Sequence, residues 1–178
     1  DDTFGWGVVF SDQTMERLQA NDTRSADWIL DQFAHWDDIE VHYRNHVIRS
    51  GGHGFSGLGR QRLLHLLQKR ALELGVKLHF EHEIHNLDQF KDADLIVACD
   101  GINSWIRDEH AEHFQPDIDV RSNRFVWLGT NKVFEAFTFI FEPTEHGWIW
   151  AHAYRFDKDT STFIIECTEE TLKGLGFD

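Results

Sequence analysis

The chain is poor in cysteine, proline and methionine, and short of positive charge. Two cysteines among 178 residues, Cys99 and Cys167, are too few for a disulfide framework. Each stands in an apolar run, as buried thiols of a reducing compartment do, so the expected location is cytoplasmic. No apolar stretch approaches the roughly 20 residues that span a bilayer, and no membrane role is expected. The opening Asp1-Asp2-Thr3 has neither an initiator methionine nor a signal-peptide pattern, which reads as a trimmed chain. Seventeen Lys and Arg face 31 Asp and Glu, a formal charge of −14. That field repels polyanions and disfavours nucleic acid as a partner, although a local basic pocket for a phosphate is compatible with it. No Ser-His-Asp order or Cys-His pair stands out, so hydrolase chemistry has no positive support. Internal repeats and low-complexity segments are also lacking.

What is present is a soluble, globular composition, 41% hydrophobic and 27% charged, long enough for one core or two small lobes. Ser11 to Ala20 reads as a helix, with Ser11 as N-cap and Asp12 in the dipole-favoured first turn. A second helix is expected from a Ser25 cap, with Ala26, Ile29, Leu30 and Phe33 on one stripe. Ile39, Val41 and Tyr43 then alternate as a strand, and Arg44-Asn45 suggests a hairpin turn. The glycine-rich stretch Ser50 to Gly59 is expected to be loop. Arg60 to Leu74 is the best helix, with a Leu63, Leu67, Ala71, Leu74 stripe widened by Leu64 and Leu66, and Gly75 to end it. Val76, Leu78 and Phe80 alternate as a strand.

Leu95 to Cys99 is an unbroken apolar run, the pattern of a strand buried on both faces of a parallel sheet. It ends in Asp100-Gly101, and Asn103 or Ser104 can cap a short helix through Arg107. Beyond Pro116 strands dominate. Phe125 to Leu128 is one; Phe137, Phe139 and Phe141 share a face of the next. Trp148, Trp150, His152, Tyr154 and Phe156 share a face of a third, and Phe163 and Ile165 of a fourth. An antiparallel meander with an aromatic side is expected. The fold class is therefore α/β with α+β character.

Three segments could bind a nucleotide. A carboxylate at Asp100, at the carboxyl end of the apolar strand, can accept hydrogen bonds from ribose hydroxyls, and Gly101 lets backbone approach a cofactor. From spacing alone, a tight turn leaving a strand is the plainer account of Asp100-Gly101. Gly57-Leu58-Gly59-Arg60 before the long helix offers an anion site, against the plainer reading of a surface Arg. Gly52-His53-Gly54-Phe55-Ser56-Gly57 matches G-x-G-x-x-G, but no buried strand precedes it and the helix starts after its last glycine. Twelve histidines include the spaced pairs His42/His46 and His110/His113 and the trio His79/His82/His85. None has the partners of a catalytic metal site, and no metal is expected.

Asp94-Leu-Ile-Val-Ala-Cys-Asp-Gly-Ile-Asn-Ser-Trp-Ile-Arg107 resembles the Asp-Gly motif of the para-hydroxybenzoate hydroxylase fold. Gly5-Trp6-Gly7-Val8-Val9-Phe10 is similar to that family's loop against the flavin ring. Gly59-Arg60-Gln61-Arg62-Leu63-Leu64 is similar to the segment whose Arg contacts FAD. Within the fold, Gly51 to Gly57, Arg124 to Thr130 and Ala151 to Phe156 resemble the salicylyl-CoA 5-hydroxylase and 2-aminobenzoyl-CoA monooxygenase group. The family's opening G-x-G-x-x-G unit and later Gly-Asp motif have no counterpart in these 178 residues, so the chain reads as an internal fragment truncated at both ends.

The resemblance implies a partial FAD/NAD(P)-binding domain (residues 1–35 and 54–115) and a substrate-domain β-sheet (36–53 and 116–178). It implies FAD and NAD(P)H as cofactors and hydroxylation of an activated aromatic ring, such as an aromatic acyl-CoA, by the whole protein. Asp100 would bind the FAD ribose, with Gly101 beside the nicotinamide path. Arg60 and Gln61 would contact FAD, and Trp6 and Gly7 would border its ring. Ser104 and Arg107 would support the turn. His152 and Tyr154, on the aromatic face, are the candidate catalytic residues; Arg121, Arg124 and Lys132 are candidates for CoA phosphates. The alternatives are a hydroxylase of free aromatic or indole substrates, a non-catalytic nucleotide-binding or interaction module, and an NAD-dependent dehydrogenase.

Overall fold

The computed structural model describes residues 5–177; Asp1-Asp2-Thr3, noted above for lacking an initiator Met, lies outside the described residues. The chain forms two compact units, Asp1–Leu78 with Ser122–Asp178, and His79–Arg121.

In the first unit, β1 (Gly7–Ser11) leads into α1 (Asp12–Asn21). Ser11 caps α1 as expected, its side chain accepting from the Thr14 N–H at 3.3 Å. The next helix, α2 (Thr23–Leu30), starts two residues before the expected cap, with Asp22 at the N-cap position. Ser25 is instead buried inside it and donates to the Asp22 carboxylate at 2.6 Å. Asp22 is gripped in turn by Arg70 at 2.9 Å, so an ion pair across two helices fixes this entry. Ala26 and Ile29 are buried with Met15 and Leu58 to form the core, against which Phe10, Phe33, Leu63 and Leu66 pack. Leu30, placed by periodicity on the same stripe, is exposed, as are Leu64 and Leu67 of the long helix α3 (Arg60–Glu73) and Leu74 at its C-cap. Gly75 follows α3 with φ +79°, the left-handed residue that a helix end favours.

Phe55–Gly59 corrects the loop expectation: it is β5, the central strand of a three-stranded sheet ordered β1-β5-β2, with β2 at Ala34–Trp36. Gly57 serves close approach. A Cβ on Gly57 would run into the Arg155 carbonyl oxygen and the Trp36 ring. The G-x-G-x-x-G match therefore ends in a strand and not at a helix.

The second sheet has the order β4-β3-β7-β8-β9-β6. Its strands are β3 (Ile39–Tyr43), β4 (His46–Ser50), β6 (Asn123–Thr130), β7 (Phe137–Thr144), β8 (Gly147–Arg155) and β9 (Ser161–Thr168). Arg44 and Asn45 both have positive φ (45° and 64°), which suits the two-residue hairpin joining β3 and β4. The β7-β8-β9 meander is as expected, but β3 joins it in parallel, Val41 opposite Phe139. The sheet is thus mixed. Register gathers the aromatics into rows on one face. One row runs Trp127, Ile164, His152, Phe139, Val41, and the next Phe125, Glu166, Trp150, Phe141, Tyr43. Trp36 stacks on Tyr154 with centroids 6.3 Å apart, and Phe55 meets Phe137 edge-on at 5.4 Å, so the small sheet covers one end of this face. Helix α6 (Glu169–Gly174) follows β9, with Thr168 as its cap. No helix among the described residues is long and apolar enough to cross a membrane.

The second unit holds a 3-10 turn (Asp88–Phe90), α4 (Trp105–Glu109) and α5 (Ala111–Phe114). Two strand expectations fail in this part of the chain. Val76 to Phe80 is not a strand, and neither is Leu95 to Cys99, where Leu95 is 78% and Val97 71% exposed. A strand persists only if neighbouring strands take up its N–H and C=O groups, and none among the described residues pairs with this one. Cys99, expected to be buried, is exposed for the same reason; Cys167, on β9, is buried.

Candidate functional site

Chemistry-bearing residues of the first unit meet where β1 lies beside the large sheet. The Gly7 N–H donates to Thr162 Oγ1 at 3.1 Å, and the Tyr154 hydroxyl donates to the Gly7 carbonyl oxygen at 2.8 Å. The Arg60 N–H donates to the Trp6 carbonyl oxygen at 2.9 Å. Trp6 lies so close over Gly129 that a Cβ there would come within 2.6 Å of the indole, and a Cβ on Gly7 would meet Phe156 at 2.6 Å. Glycine is required at both places. Beside this junction is a cavity of about 420 Å³ lined by Trp6, Gly59, Arg60, Gln61, Arg62 and Phe156. Helix α3 starts at its edge with no side-chain cap, which puts the positive end of its dipole there.

The structure therefore brings Trp6, Arg60 and Gln61 to one cavity, with Gly7 in the strand that anchors it. Tyr154 is buried, which pushes its pKa up against the opposing hydrogen bond of Thr162. It is a neutral donor fastening Gly7. His152, two residues earlier on β8, is half-buried, its ring 5.3 Å from Phe139. It is the imidazole in the centre of the aromatic face.

Asp100 and Gly101 belong to the second unit. Asp100 Oδ1 accepts from Ser104 Oγ at 2.6 Å. That bond, chiefly, holds the carboxyl below its usual range against desolvation, with backbone N–H groups and Arg107 adding to it. Ser104 Oγ also accepts from the Arg107 N–H at 3.1 Å, and Arg107 Nη1 donates to the Ile102 carbonyl at 2.8 Å. Ser104 and Arg107 thus support the turn, as the resemblance implied. Gly101 turns with φ +85°. A cavity of about 570 Å³ is lined by Ala98, Asp100, Gly101, Arg107, His110 and Phe114.

Several residues were not singled out from sequence. Thr162 and Gly129 bear on the junction only through strand register, which local patterning does not encode. His35 bridges Ser56 Oγ (3.1 Å, through Nδ1) and Asp37 Oδ1 (3.3 Å, through Nε2), a Ser-His-Asp contact that linear order did not show. Ser56 is only 2% exposed, so no substrate reaches its hydroxyl. The candidate phosphate cations have partners: Arg124 pairs with Glu169 at 3.0 Å, Arg121 with Asp119 at 2.8 Å, and Lys132 lies over the Phe134 ring. Among the described residues no three His, Cys, Asp or Glu are grouped to hold a metal.

No family model matches the chain. PqsL of Pseudomonas aeruginosa, a "probable FAD-dependent monooxygenase" also solved in complex with 2-aminobenzoylacetate, superposes with a TM-score of 0.68 at 12% identity. That match takes in 98% of this chain and 54% of PqsL. The chain has the fold of the FAD-dependent monooxygenases. In sequence, this monooxygenase-fold chain is 40% identical over 178 residues, its whole length, to salicyloyl-CoA 5-hydroxylase of a Streptomyces species. It is 30% identical over 165 residues, 93% of the chain, to 3-hydroxy-4-methyl-anthranilyl-(aryl-carrier protein) 5-monooxygenase of Streptosporangium sibiricum. It spans 34% of the first relative and 46% of the second, so the monooxygenase fold is represented here in part.

Proposed function

We propose that the whole protein is a cytoplasmic FAD-dependent monooxygenase that uses NAD(P)H and oxygen to hydroxylate an activated aromatic ring carried as a thioester. The observation that carries this reading is the cavity where Trp6, Arg60 and Phe156 meet, next to the aromatic face of the large sheet. Apart from the Asp157 carboxylate, its lining suits a planar, anionic nucleotide. Trp6 and Phe156 supply ring faces, and Arg60 and the start of α3 supply positive charge in a chain of net charge −14. The fold and the salicyloyl-CoA 5-hydroxylase relative support the same conclusion.

FAD, when bound, supplies the hydride acceptance and oxygen activation that no side chain provides. Arg60 and Gln61 would hold it, with Trp6 and Gly7 at its ring, and Asp100 and Gly101 would take its ribose and border the nicotinamide path. The Tyr154 and Thr162 hydrogen bonds to Gly7 keep the ring-bordering strand in place. His152 is the group suited to accept a proton from a ring hydroxyl or amine on the aromatic face. Phe139, Trp127 and Trp150 would offer ring faces to a substrate there. In this proposal residues 1–35 and 54–115 belong to the FAD-binding domain, and 36–53 and 116–178 to the substrate domain.

The test is full-length protein assayed for bound yellow flavin and for NAD(P)H oxidation stimulated by aryl-CoA thioesters. Retained flavin with thioester-dependent turnover is expected. Flavin-free protein that oxidises no NAD(P)H with any aromatic effector would overturn the proposal. Turnover of free aromatic acids or indoles in preference to thioesters would replace the substrate assignment alone.

A further inference from the structure

One carboxylate stands within the aromatic rows. Glu166 lies between Phe125 and Trp150 in cross-strand register, on the face that also presents His152. It is held from both sides. Trp150 Nε1 donates to Oε2 at 3.0 Å, and Asn123 Nδ2 donates to Oε1 at 2.9 Å. These donors come from β8 and β6, the two strands flanking β9, so the carboxylate is fixed in direction. A carboxylate accepts up to about four hydrogen bonds, so each oxygen keeps acceptor capacity. This end of the face is open: Phe125 is 67% and Trp148 41% exposed, beyond the part that Trp36 and Phe55 cover.

Apolar side chains with a single oriented anion among them select ligands in two ways. Aromatic flanks accept a flat ring, and the fixed acceptors reward an N–H or O–H substituent on it. The same charge repels an anionic ring substituent, an effect that salt weakens at this open end of the face. A ring carrying a free carboxylate is disfavoured, and the neutral thioester of that acid is not.

We propose that Glu166, oriented by Trp150 and Asn123, is a specificity-determining residue that favours neutral aryl acyl groups bearing an amino or hydroxyl donor and rejects free aryl carboxylates. This rests on the aromatic-hydroxylase reading above and names the substrate feature it selects.

Calorimetric binding to the full-length protein tests it, with small neutral N-acetylcysteamine thioesters as probes so that no CoA phosphate contributes. The probes are the 2-aminobenzoyl thioester, the benzoyl thioester and free 2-aminobenzoate. Wild-type protein is expected to bind the aminobenzoyl thioester about tenfold more tightly than the benzoyl thioester, the effect of one hydrogen bond to a charged group. Glu166→Leu should abolish that preference. Glu166→Gln, which keeps the shape and removes the charge, should bind free 2-aminobenzoate more tightly than wild type does. Asn123→Ala, which removes one of the two hydrogen bonds orienting the carboxylate, should weaken the donor preference without abolishing it. Equal binding of the two thioesters by wild type, or an undiminished preference in Glu166→Leu, overturns this inference alone. Binding of no aryl thioester at all removes both this inference and the functional reading beneath it.

Discussion

The Tyr154 hydroxyl donates to the Gly7 carbonyl oxygen at 2.8 Å, joining two residues 147 positions apart and tying β1 to the large sheet. Both partners are buried. Tyr154→Phe leaves the ring stacked on Trp36 but the carbonyl without its donor, an expected loss of about 1–3 kcal/mol. The urea midpoint should fall accordingly. An unchanged midpoint would show that water replaces the hydroxyl.

The same residue predicts an alkaline limb. Burial raises the folded-state pKa of Tyr154 above the usual tyrosine value near 10. Its contribution is thus complete below that value and is lost as the pH climbs from there through the folded-state pKa. Tyr154→Phe should be less sensitive to pH over that range, as read from thermal midpoints at successive pH values.

Asp22 contributes to the acid side. Its hydrogen bond with Arg70, assisted by Ser25, lowers its pKa from 3.8 to about 2. The stabilisation is present above pH 4 and disappears as the pH falls from 4 through 2, since the unfolded chain takes up the proton first. Arg70→Gln should reduce stability at pH 6 and flatten the decline between pH 4 and 2. A parallel decline in the variant would place the acid sensitivity elsewhere.

Gly57→Ala tests close packing in β5. The added methyl meets the Arg155 carbonyl oxygen and the Trp36 ring, neither of them the free end of a flexible chain. A cost of about 1–3 kcal/mol is expected, with perturbed tryptophan fluorescence from Trp36. Gly52→Ala, where an added Cβ would meet nothing within 4 Å but φ is +79°, separates steric crowding from backbone strain.

Ser104→Ala probes the Asp100 turn. The substitution removes both the cap of α4 and the bond to Asp100, and should cost about 0.5–2 kcal/mol. Amide exchange should accelerate at Arg107 and Asp108. Exchange unchanged there would show that the turn holds without its cap.

Local chemistry was enough to place α1 and its Ser11 cap, α3 and its Gly75 stop, the Arg44-Asn45 hairpin, the Ser104-capped turn and the alternating aromatics of β7 and β8. Those features depend on neighbouring residues: a side-chain oxygen reaching an N–H three residues on, a glycine at positive φ, a two-residue period. Tertiary structure alone decided that glycine-rich Phe55–Gly59 is a central strand, that β3 joins β7 in parallel, that Thr162 and Tyr154 meet Gly7, and that Glu166 stands between Phe125 and Trp150. The apolar run Leu95 to Cys99 shows why. Its composition favours a buried strand, but strand formation requires partners for its backbone, and those are a property of the surrounding fold and not of the run itself.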